Sequence, residues 1–256
     1  MSTAGDAAGA GPERAWCESL PADGGVVELD REESAHLVRV RRVRVGEDVV
    51  LFDGRGGLGR GRLAVADPRA ARVQVLGPYP ARRPARELEV RASLPEPSRA
   101  DDLVATLAEL GVRRFVSLAC RRTPPGRDDL LRRRLPRFAR AAREALKVNG
   151  LAQALEVHPG PVRFEEALAG RGWLLDTAPG LPPLAACAVA APSGPLVLWV
   201  GPEGGFAPEE REAAHAAGLG VASLGGAALR TATAAAAAAA VVLAAGPGRG
   251  GGDGAS

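Results

Sequence analysis

Short apolar runs separated by turn residues fill the first third of the chain. The runs are VVEL, DVVLF, GRLAVAD and RVQVLG, which lie between residues 26 and 77. Runs of this length are typical of strands. Several of them at close spacing predict a small β-barrel or sandwich from about Arg14 to Pro80.

From residue 88 onward, strand-like apolar runs alternate with helical stretches. The pattern predicts strands over 88–94, 113–120, 172–176, 195–201 and 221–225, and helices over 101–111, 130–146, 208–218 and 231–245. We expect Pro136 to interrupt the second helix, because proline removes a backbone donor from a helix interior. The last helix is mostly alanine, and its apolar run is too short to span a bilayer, so we expect it to be buried. The alternation favours an α/β domain with a mainly parallel sheet.

The two ends of the chain are poor in large apolar residues. Residues 1–13 and 246–256 are rich in glycine, alanine and polar residues, which predicts disordered tails. Between the tails, the pattern changes near residues 81–87. This change predicts two domains, a β domain over 14–83 and an α/β domain over 84–245.

The composition is that of a folded protein, since 46% of the 256 residues are hydrophobic and 25% are charged. It excludes a mostly disordered or collagen-like chain. The formal net charge is only +3, but the segment from Arg121 to Lys147 holds ten basic and three acidic residues, a local net charge of +7. Such a segment suits a polyanion such as nucleic acid. A solvated helix face would have the same composition.

The three cysteines, Cys17, Cys120 and Cys187, are far apart in the sequence. They form no CxxC motif, and no histidine lies at metal-ligand spacing from them. Together with the lack of an apolar signal segment near residue 1, this predicts reduced thiols in a cytoplasmic protein. We expect no metal site and no association with a membrane.

One glycine-rich segment resembles a nucleotide motif. Residues Gly54 to Gly59 match the pattern GxGxxG, but a strand-like run follows them. A dinucleotide site needs a helix N-terminus there to hold the pyrophosphate, so we predict a hairpin turn instead. The sequence contains no Walker A, HExxH or GxSxG motif, which removes the usual support for P-loop, zincin and serine hydrolase chemistry.

Two further glycine-rich loops each connect a predicted strand to a predicted helix. The first contains Gly201-Pro202-Glu203-Gly204-Gly205-Phe206, and the second runs from Leu224 to Ala234 with Arg230 as its single charged residue. Glycines let backbone groups approach a bound ligand closely. If these loops bind one, we expect a side chain in place of Gly204 to block the binding. Either loop alone would be a common turn. Together, at the carboxyl ends of two strands, they outline a ligand crevice.

The two loops resemble the signatures of the SPOUT superfamily of S-adenosylmethionine-dependent methyltransferases. Within it they are similar to the ribosomal RNA small subunit methyltransferase E family, which methylates uracil N3 in small-subunit rRNA. The segment from His36 to Gly54 resembles that family's PUA-like barrel, 109–112 its first catalytic-domain helix, and 143–147 its arginine-rich helix. The resemblance covers most of residues 14–245.

The resemblance implies a SPOUT-type α/β domain with a trefoil knot, preceded by a PUA-like β-barrel, in a homodimer. S-adenosylmethionine would be held by Val200, Gly201, Pro202, Glu203, Gly204, Gly205, Leu224, Gly225, Leu229 and Thr231. Arg230 would stabilise the charge that develops on uracil as its N3 proton leaves. A phosphate clamp or a structural ion pair is the alternative for Arg230. The RNA would contact Arg39, Arg41, Arg42, Arg121, Arg122, Arg143 and Lys147.

The sequence departs from the family pattern on the presumed RNA side. Pro95 to Ser98 replaces a Pro-Lys-Gly-Asp-like turn, and Lys147 to Leu151 lacks a glutamine and an arginine of the family pattern. Three hypotheses therefore stay open. The first is a uracil-N3 methyltransferase of small-subunit rRNA. The second is a methyltransferase of the same fold acting on another RNA site or on a small heterocyclic N–H, and the third is a non-catalytic RNA-binding protein.

Overall fold

The chain forms two compact units, Met1–Arg82 and Arg83–Ser256. The structure, a computed structural model, describes residues 11–21, 24–84 and 86–246. Each unit has a hydrophobic core of its own.

A five-stranded sheet forms the N-terminal unit, with the spatial order β1-β3-β4-β5-β2. Its strands are β1 (Glu13–Trp16), β2 (Val26–Glu28), β3 (Asp48–Phe52), β4 (Leu58–Val65) and β5 (Arg72–Pro78). β1 runs parallel to β3, and the other neighbours are antiparallel. Buried side chains such as Val49, Leu51 and Leu63 form the core. Residues Gly54 to Gly57 lie in the turn between the antiparallel strands β3 and β4, and Leu58 and Gly59 begin β4, so the predicted hairpin is confirmed.

A short helical segment, which the sequence pattern did not predict, precedes β3. Helix α1 (Arg31–Ala35) continues into a π-helical turn, His36–Val40. Asp30 caps its start, because Asp30 Oδ1 accepts a hydrogen bond from the Glu33 amide at 2.8 Å. The buried Glu33 carboxylate accepts the Trp16 amide at 3.0 Å, which joins the helix to β1. Five residues are too few to show a helical period in the sequence.

A seven-stranded parallel sheet forms the C-terminal unit. The order is β12-β10-β11-β6-β7-β8, and β9 also pairs with β7. The strands are β6 (Leu88–Ser93), β7 (Arg114–Ala119), β8 (Glu156–Val157), β9 (Val162–Arg163), β10 (Gly172–Leu175), β11 (Leu196–Val200) and β12 (Gly220–Ala222). Each pairing is parallel, which confirms the predicted α/β class. Strands β8 and β9 were not predicted, since two residues carry no periodicity.

Helices cover the sheet. The C-terminal unit also has a second cluster of buried apolar side chains, which includes Leu118, Phe164 and Trp199. The helices are α2 (Pro97–Leu110), α3 (Arg127–Asn149), α4 (Leu184–Ala190), α5 (Pro208–Ala216) and α6 (Thr231–Ala244), with a 3-10 turn at Phe164–Ala167. α6 packs on α2, α4, β6 and β11. Its residues Ala235, Ala238 and Ala239 are fully buried, which confirms the predicted buried helix. No helix in the described residues is long and apolar enough to cross a membrane.

Pro136 does not interrupt its helix, so that prediction is wrong. α3 runs without a break from Arg127 to Asn149. Pro136 is exposed, whereas Leu131 and Phe138 on either side of it are fully buried. Solvent can hydrate the carbonyl that proline leaves without a donor, and the buried residues hold both halves of the helix in place.

Two residues expected in the tails belong to packed structure. Glu13 pairs with Val49 in the first sheet, because β1 begins there. The carbonyl of Gly246 accepts a hydrogen bond from the buried Arg86 side chain. The rest of the predicted tails falls mostly on residues 1–10 and 247–256, which lie outside the described residues. The trefoil knot stays a prediction.

Candidate active site at the carboxyl ends of the parallel strands

A cavity of about 240 Å³ lies where β10, β11 and β12 end. These three strands are parallel and adjacent, so the loops that follow them share one edge of the sheet. The ten residues predicted to hold the methyl donor all line this cavity: Val200, Gly201, Pro202, Glu203, Gly204, Gly205, Leu224, Gly225, Leu229 and Thr231. The fold thus brings together two loops whose first residues, Gly201 and Leu224, are 23 positions apart in the sequence.

The first loop needs glycine at two positions for different reasons. A Cβ atom at Gly201 would lie 3.2 Å from the Phe206 ring, a side chain that is itself buried. Gly205 has φ +69°, in the left-handed region that favours glycine, and its amide donates to the Pro202 carbonyl at 2.8 Å. The loop is therefore a tight turn that keeps its backbone at the cavity wall.

Gly204 lines the cavity and also contacts an arginine. A Cβ atom there would lie 3.5 Å from Arg122 Cδ. The Arg122 guanidinium also donates a hydrogen bond to the Gly204 carbonyl, with an Nη1–O distance of 2.7 Å. A side chain at position 204 would therefore lie at ordinary contact distance from Arg122, and the expectation that it would intrude on the ligand stays a prediction.

Thr231 connects the two glycine loops. Its side chain is buried, and its hydroxyl donates to the Gly201 carbonyl at 2.9 Å. Thr231 is the first residue of α6, so this hydrogen bond fixes the helix start against the first loop. The hydroxyl is thereby already engaged with the protein backbone.

Sequence reasoning missed an ion pair in the cavity wall. Asp176 follows β10 and Arg211 lies on α5, and both line the cavity. Arg211 Nε donates to Asp176 Oδ2 at 2.6 Å, and Asp176 Oδ1 accepts the Thr177 amide at 2.6 Å. Their positions 35 residues apart form no motif. The one available signal was the position of Asp176 at the end of a predicted strand.

Arg230 lies at the edge of the cavity rather than in its wall. It is exposed and immediately precedes α6, between the lining residues Leu229 and Thr231. A long side chain at this position is free to contact a second molecule that approaches the cavity from solvent.

The predicted RNA-contacting residues of the C-terminal unit fall in two places. Arg121 and Arg122 are exposed in the loop after β7, and Arg122 touches the first glycine loop. Arg143 and Lys147 lie on α3, which packs on α2 and β8, and neither lines the cavity. Lys147 Nζ is 2.8 Å from Glu144 Oε1. Other basic residues of α3 also pair with carboxylates: Arg132 with Asp129, and Arg134 and Arg137 with Asp101.

In the N-terminal unit, Arg39, Arg41 and Arg42 are exposed at the end of the π-helical turn and just after it. Arg41 forms a two-pronged ion pair with Glu13, with distances of 2.7 and 2.5 Å. The hydrogen bond and charge of Glu13 raise the pKa of Arg41. Because its charge is already compensated, Arg41 is a weaker phosphate contact than its exposed neighbours.

The thiol of Cys120, which directly precedes Arg121 and Arg122, is not a nucleophile at neutral pH. Burial, followed by the charge of Glu210, raises the pKa of Cys120 to about 12. The thiol therefore stays protonated. Among the described residues, no group of three or more acidic, histidine or cysteine side chains could hold a metal ion.

Comparisons with known proteins place the chain among RNA methyltransferases. Residues 82–243 match the RNA methyltransferase domain family and residues 29–76 match the RNA methyltransferase PUA domain family. The ribosomal RNA small subunit methyltransferase E of Mycobacterium bovis is 32% identical over 227 residues, which are 84% of this chain and 85% of that relative. The chain belongs to the ribosomal RNA small subunit methyltransferase E family, which confirms the resemblance of its two glycine loops.

Solved structures agree with this assignment. The ribosomal RNA small subunit methyltransferase E of Neisseria gonorrhoeae, bound to S-adenosylmethionine, superposes with a TM-score of 0.78 at 26% identity. The match covers 91% of this chain and 97% of that chain. A Legionella pneumophila protein described as a methyltransferase in complex with the same cofactor gives a TM-score of 0.77 at 25% identity, over 92% and 98% of the two chains.

Proposed function

We propose that this protein transfers a methyl group from S-adenosylmethionine to N3 of a uridine in small-subunit (16S) ribosomal RNA. The observation that carries the proposal is the cavity. All ten residues of the two loop signatures line it, in a chain of this family, and an exposed arginine lies at its edge.

The cavity suits S-adenosylmethionine in shape and charge. Leu175, Val200 and Leu224 supply apolar surface for a flat heterocycle, and glycine backbone supplies donors and acceptors at close range. Its charged lining residues are Asp176, Glu203 and Arg211, so two carboxylates against one guanidinium give a net charge of −1. The cofactor carries a single net positive charge at neutral pH, so the two charges are complementary.

Bound S-adenosylmethionine supplies a methyl group activated by its sulfonium. The two loops would hold the cofactor with its methyl group facing the incoming base, and such positioning would supply much of the rate. As N3 releases its proton to solvent, negative charge develops on N3 and the uracil oxygens; this charge would be neutralised as the N3–carbon bond forms and the carbon–sulfur bond breaks. Arg230 stabilises that charge from the cavity edge. The products are the N3-methylated base, S-adenosylhomocysteine and a proton.

The RNA contacts come from exposed arginines of both units. Arg39 and Arg42 in the N-terminal unit, and Arg122 beside the first loop, are exposed and able to meet phosphates. The match of residues 29–76 to a PUA domain of RNA methyltransferases supports an RNA acceptor over a small molecule.

Some residues in the segments that depart from the family pattern make contacts within the protein. Asn149 Nδ2 donates to the Ala108 carbonyl at 3.0 Å, and Asn149 Oδ1 accepts the Leu151 amide at 2.9 Å. The segment after Lys147 therefore joins the end of α3 to the end of α2. Glu96 pairs with Arg99 within the first turn of α2 at 2.5 Å. Val148, at the position of the family's glutamine, is exposed and serves no packing role, so the proposed acceptor rests on the cavity and on the PUA match.

The test uses purified protein, S-adenosylmethionine labelled in its methyl group, and small ribosomal subunits that lack the uracil-N3 mark. Free uracil-like heterocycles serve as acceptors in parallel. We expect label at N3 of a single rRNA uridine. Label at another RNA position, or on the heterocycles alone, would establish a different acceptor. Lack of cofactor binding would support a non-catalytic RNA-binding protein.

An Arg230→Ala variant tests the role of the edge arginine. We expect nearly unchanged affinity for S-adenosylmethionine and a strongly reduced turnover, because the arginine acts on the base and not on the cofactor. Turnover near that of the wild type would leave Arg230 as a phosphate contact or structural residue. Light scattering of the same samples tests the homodimer, which stays a prediction.

A further inference from the structure

Glu210 is a buried carboxylate close to the cavity that does not line it. It lies in the first turn of α5 and is 1% exposed. Both of its oxygens accept backbone amides: Oε2 from Ala207 at 2.7 Å and Oε1 from Arg121 at 2.8 Å. Among the described residues it forms no ion pair, so these two hydrogen bonds hold its charge in the interior. Hydrogen bonds to a buried charge are among the stronger ones in proteins.

The two amides belong to different loops, each next to the first glycine loop. Ala207 directly follows Phe206 and so fixes the loop at its exit. Arg121 precedes Arg122, whose guanidinium donates to the Gly204 carbonyl at 2.7 Å. The Glu210 carboxylate thus holds the end of the glycine loop in position. Through the Arg121 amide it also positions the neighbouring loop, from which Arg122 contacts Gly204.

A loop with glycines at 201, 204 and 205 has many conformations when it is not restrained. Binding of a ligand to a flexible loop is weakened by the loss of conformational entropy as the loop becomes ordered. This cost does not arise if the protein has already ordered the loop. The three contacts made by Glu210 and Arg122 order this loop before a ligand arrives.

We propose that Glu210 is a positioning residue that pre-organises the glycine loop for the methyl donor, acting in part through Arg122. The inference rests on the proposed function, since it assumes that S-adenosylmethionine binds at this loop. It assigns Glu210 a role in affinity for the cofactor without contact to it.

The test compares Glu210→Gln with Glu209→Gln. Both remove one carboxylate from the first turn of α5, but Glu209 is exposed and accepts no hydrogen bond from the two loops. A glutamine at 210 has a single acceptor oxygen, so one of the two amides loses its partner. Calorimetric titration with S-adenosylmethionine gives the dissociation constant and the stoichiometry separately, at a temperature where circular dichroism shows each variant folded.

We expect Glu210→Gln to raise the dissociation constant about tenfold, the effect of losing one hydrogen bond to a charged group. The stoichiometry should stay near that of the wild type, and Glu209→Gln should match the wild type in both. A merely structural role would lower the stoichiometry, through misfolded protein, and leave the dissociation constant unchanged. That outcome would overturn the inference.

A double variant tests the route through Arg122. Arg122→Ala alone should weaken binding, and the loss in Glu210→Gln/Arg122→Ala should be smaller than the sum of the two single losses. Fully additive losses would show that Glu210 does not act through Arg122. If Glu210→Gln does not fold, the exposed Arg122→Ala still tests this contact, and unchanged binding would contradict it. Failure of the wild type itself to bind S-adenosylmethionine would instead refute the proposed function.

Discussion

Replacing Thr231 by valine removes one hydrogen bond at the junction of the two glycine loops and preserves the shape of the side chain. In the wild type, the Thr231 hydroxyl donates to the Gly201 carbonyl at 2.9 Å from a residue that is 2% exposed. Valine places a methyl group there, so the carbonyl of Gly201 loses its donor. Threonine and valine have similar helix propensities, so the start of α6 is not otherwise affected.

The loss of one neutral hydrogen bond to a partly buried carbonyl corresponds to about 1 kcal/mol, and up to about 2 kcal/mol if water does not replace the donor. We expect the free energy of unfolding in urea to fall by that amount. Because Gly201 lines the cavity, the affinity for S-adenosylmethionine should fall about fivefold, the equivalent of about 1 kcal/mol.

Two further variants make this measurement decisive. Thr231→Ser keeps the hydroxyl and should keep most of the affinity. Thr233→Val makes the same chemical change on an exposed residue of the same helix turn and should bind like the wild type. The reasoning is refuted if Thr231→Val binds as tightly as the wild type, or if Thr231→Ser loses as much affinity as Thr231→Val.

Three other predictions follow from the structure. Arg39→Ala should weaken RNA binding more than Arg41→Ala at low salt, because Arg41 is already paired with Glu13; equal losses in a filter-binding assay would contradict this. The folded state holds the pKa of Cys120 near 12, above its ordinary value of 9.0, so only the unfolded chain ionises this thiol from about pH 9. The contribution of Cys120 to the free energy of unfolding should therefore fall as pH rises above 9, by at most about 1.4 kcal/mol per pH unit, and the Cys120→Ala variant should lose stability less steeply than the wild type. Pro136→Ala should raise the unfolding temperature, since it restores a backbone donor inside a continuous helix; a lower temperature would show that proline is favourable there.

The sequence predicted the class of the fold and the backbone of the site because both depend on local patterns. Alternating strands and helices specify a parallel sheet, and two glycine loops after strands specify where its ligand edge lies. The residues that sequence reasoning missed act through distant partners. Asp176 forms an ion pair with Arg211, and the buried carboxylate of Glu210 accepts a hydrogen bond from the Arg121 amide. In both cases the partners are too far apart in the sequence to form a recognisable motif.

The error at Pro136 has a related cause. A rule about single residues predicted a break, whereas the outcome depended on which face of the helix the proline occupies. Burial of Leu131 and Phe138 on the other side decided it, and burial becomes visible only once the helices are packed.

The pairing at the centre of the C-terminal sheet has a consequence for how the protein folds. β6 lies between β7 and β11, and its Leu88 is in register with Leu196. A chain that emerges from the ribosome can form the local contacts of its first unit early. In contrast, β6 cannot complete its pairing until β11 has been synthesised. Closing so long a loop is entropically costly and slows folding. The cavity at the ends of β10, β11 and β12 also needs the first turn of α6, and it is therefore completed last. Binding of a ligand there would show that the whole C-terminal unit has folded.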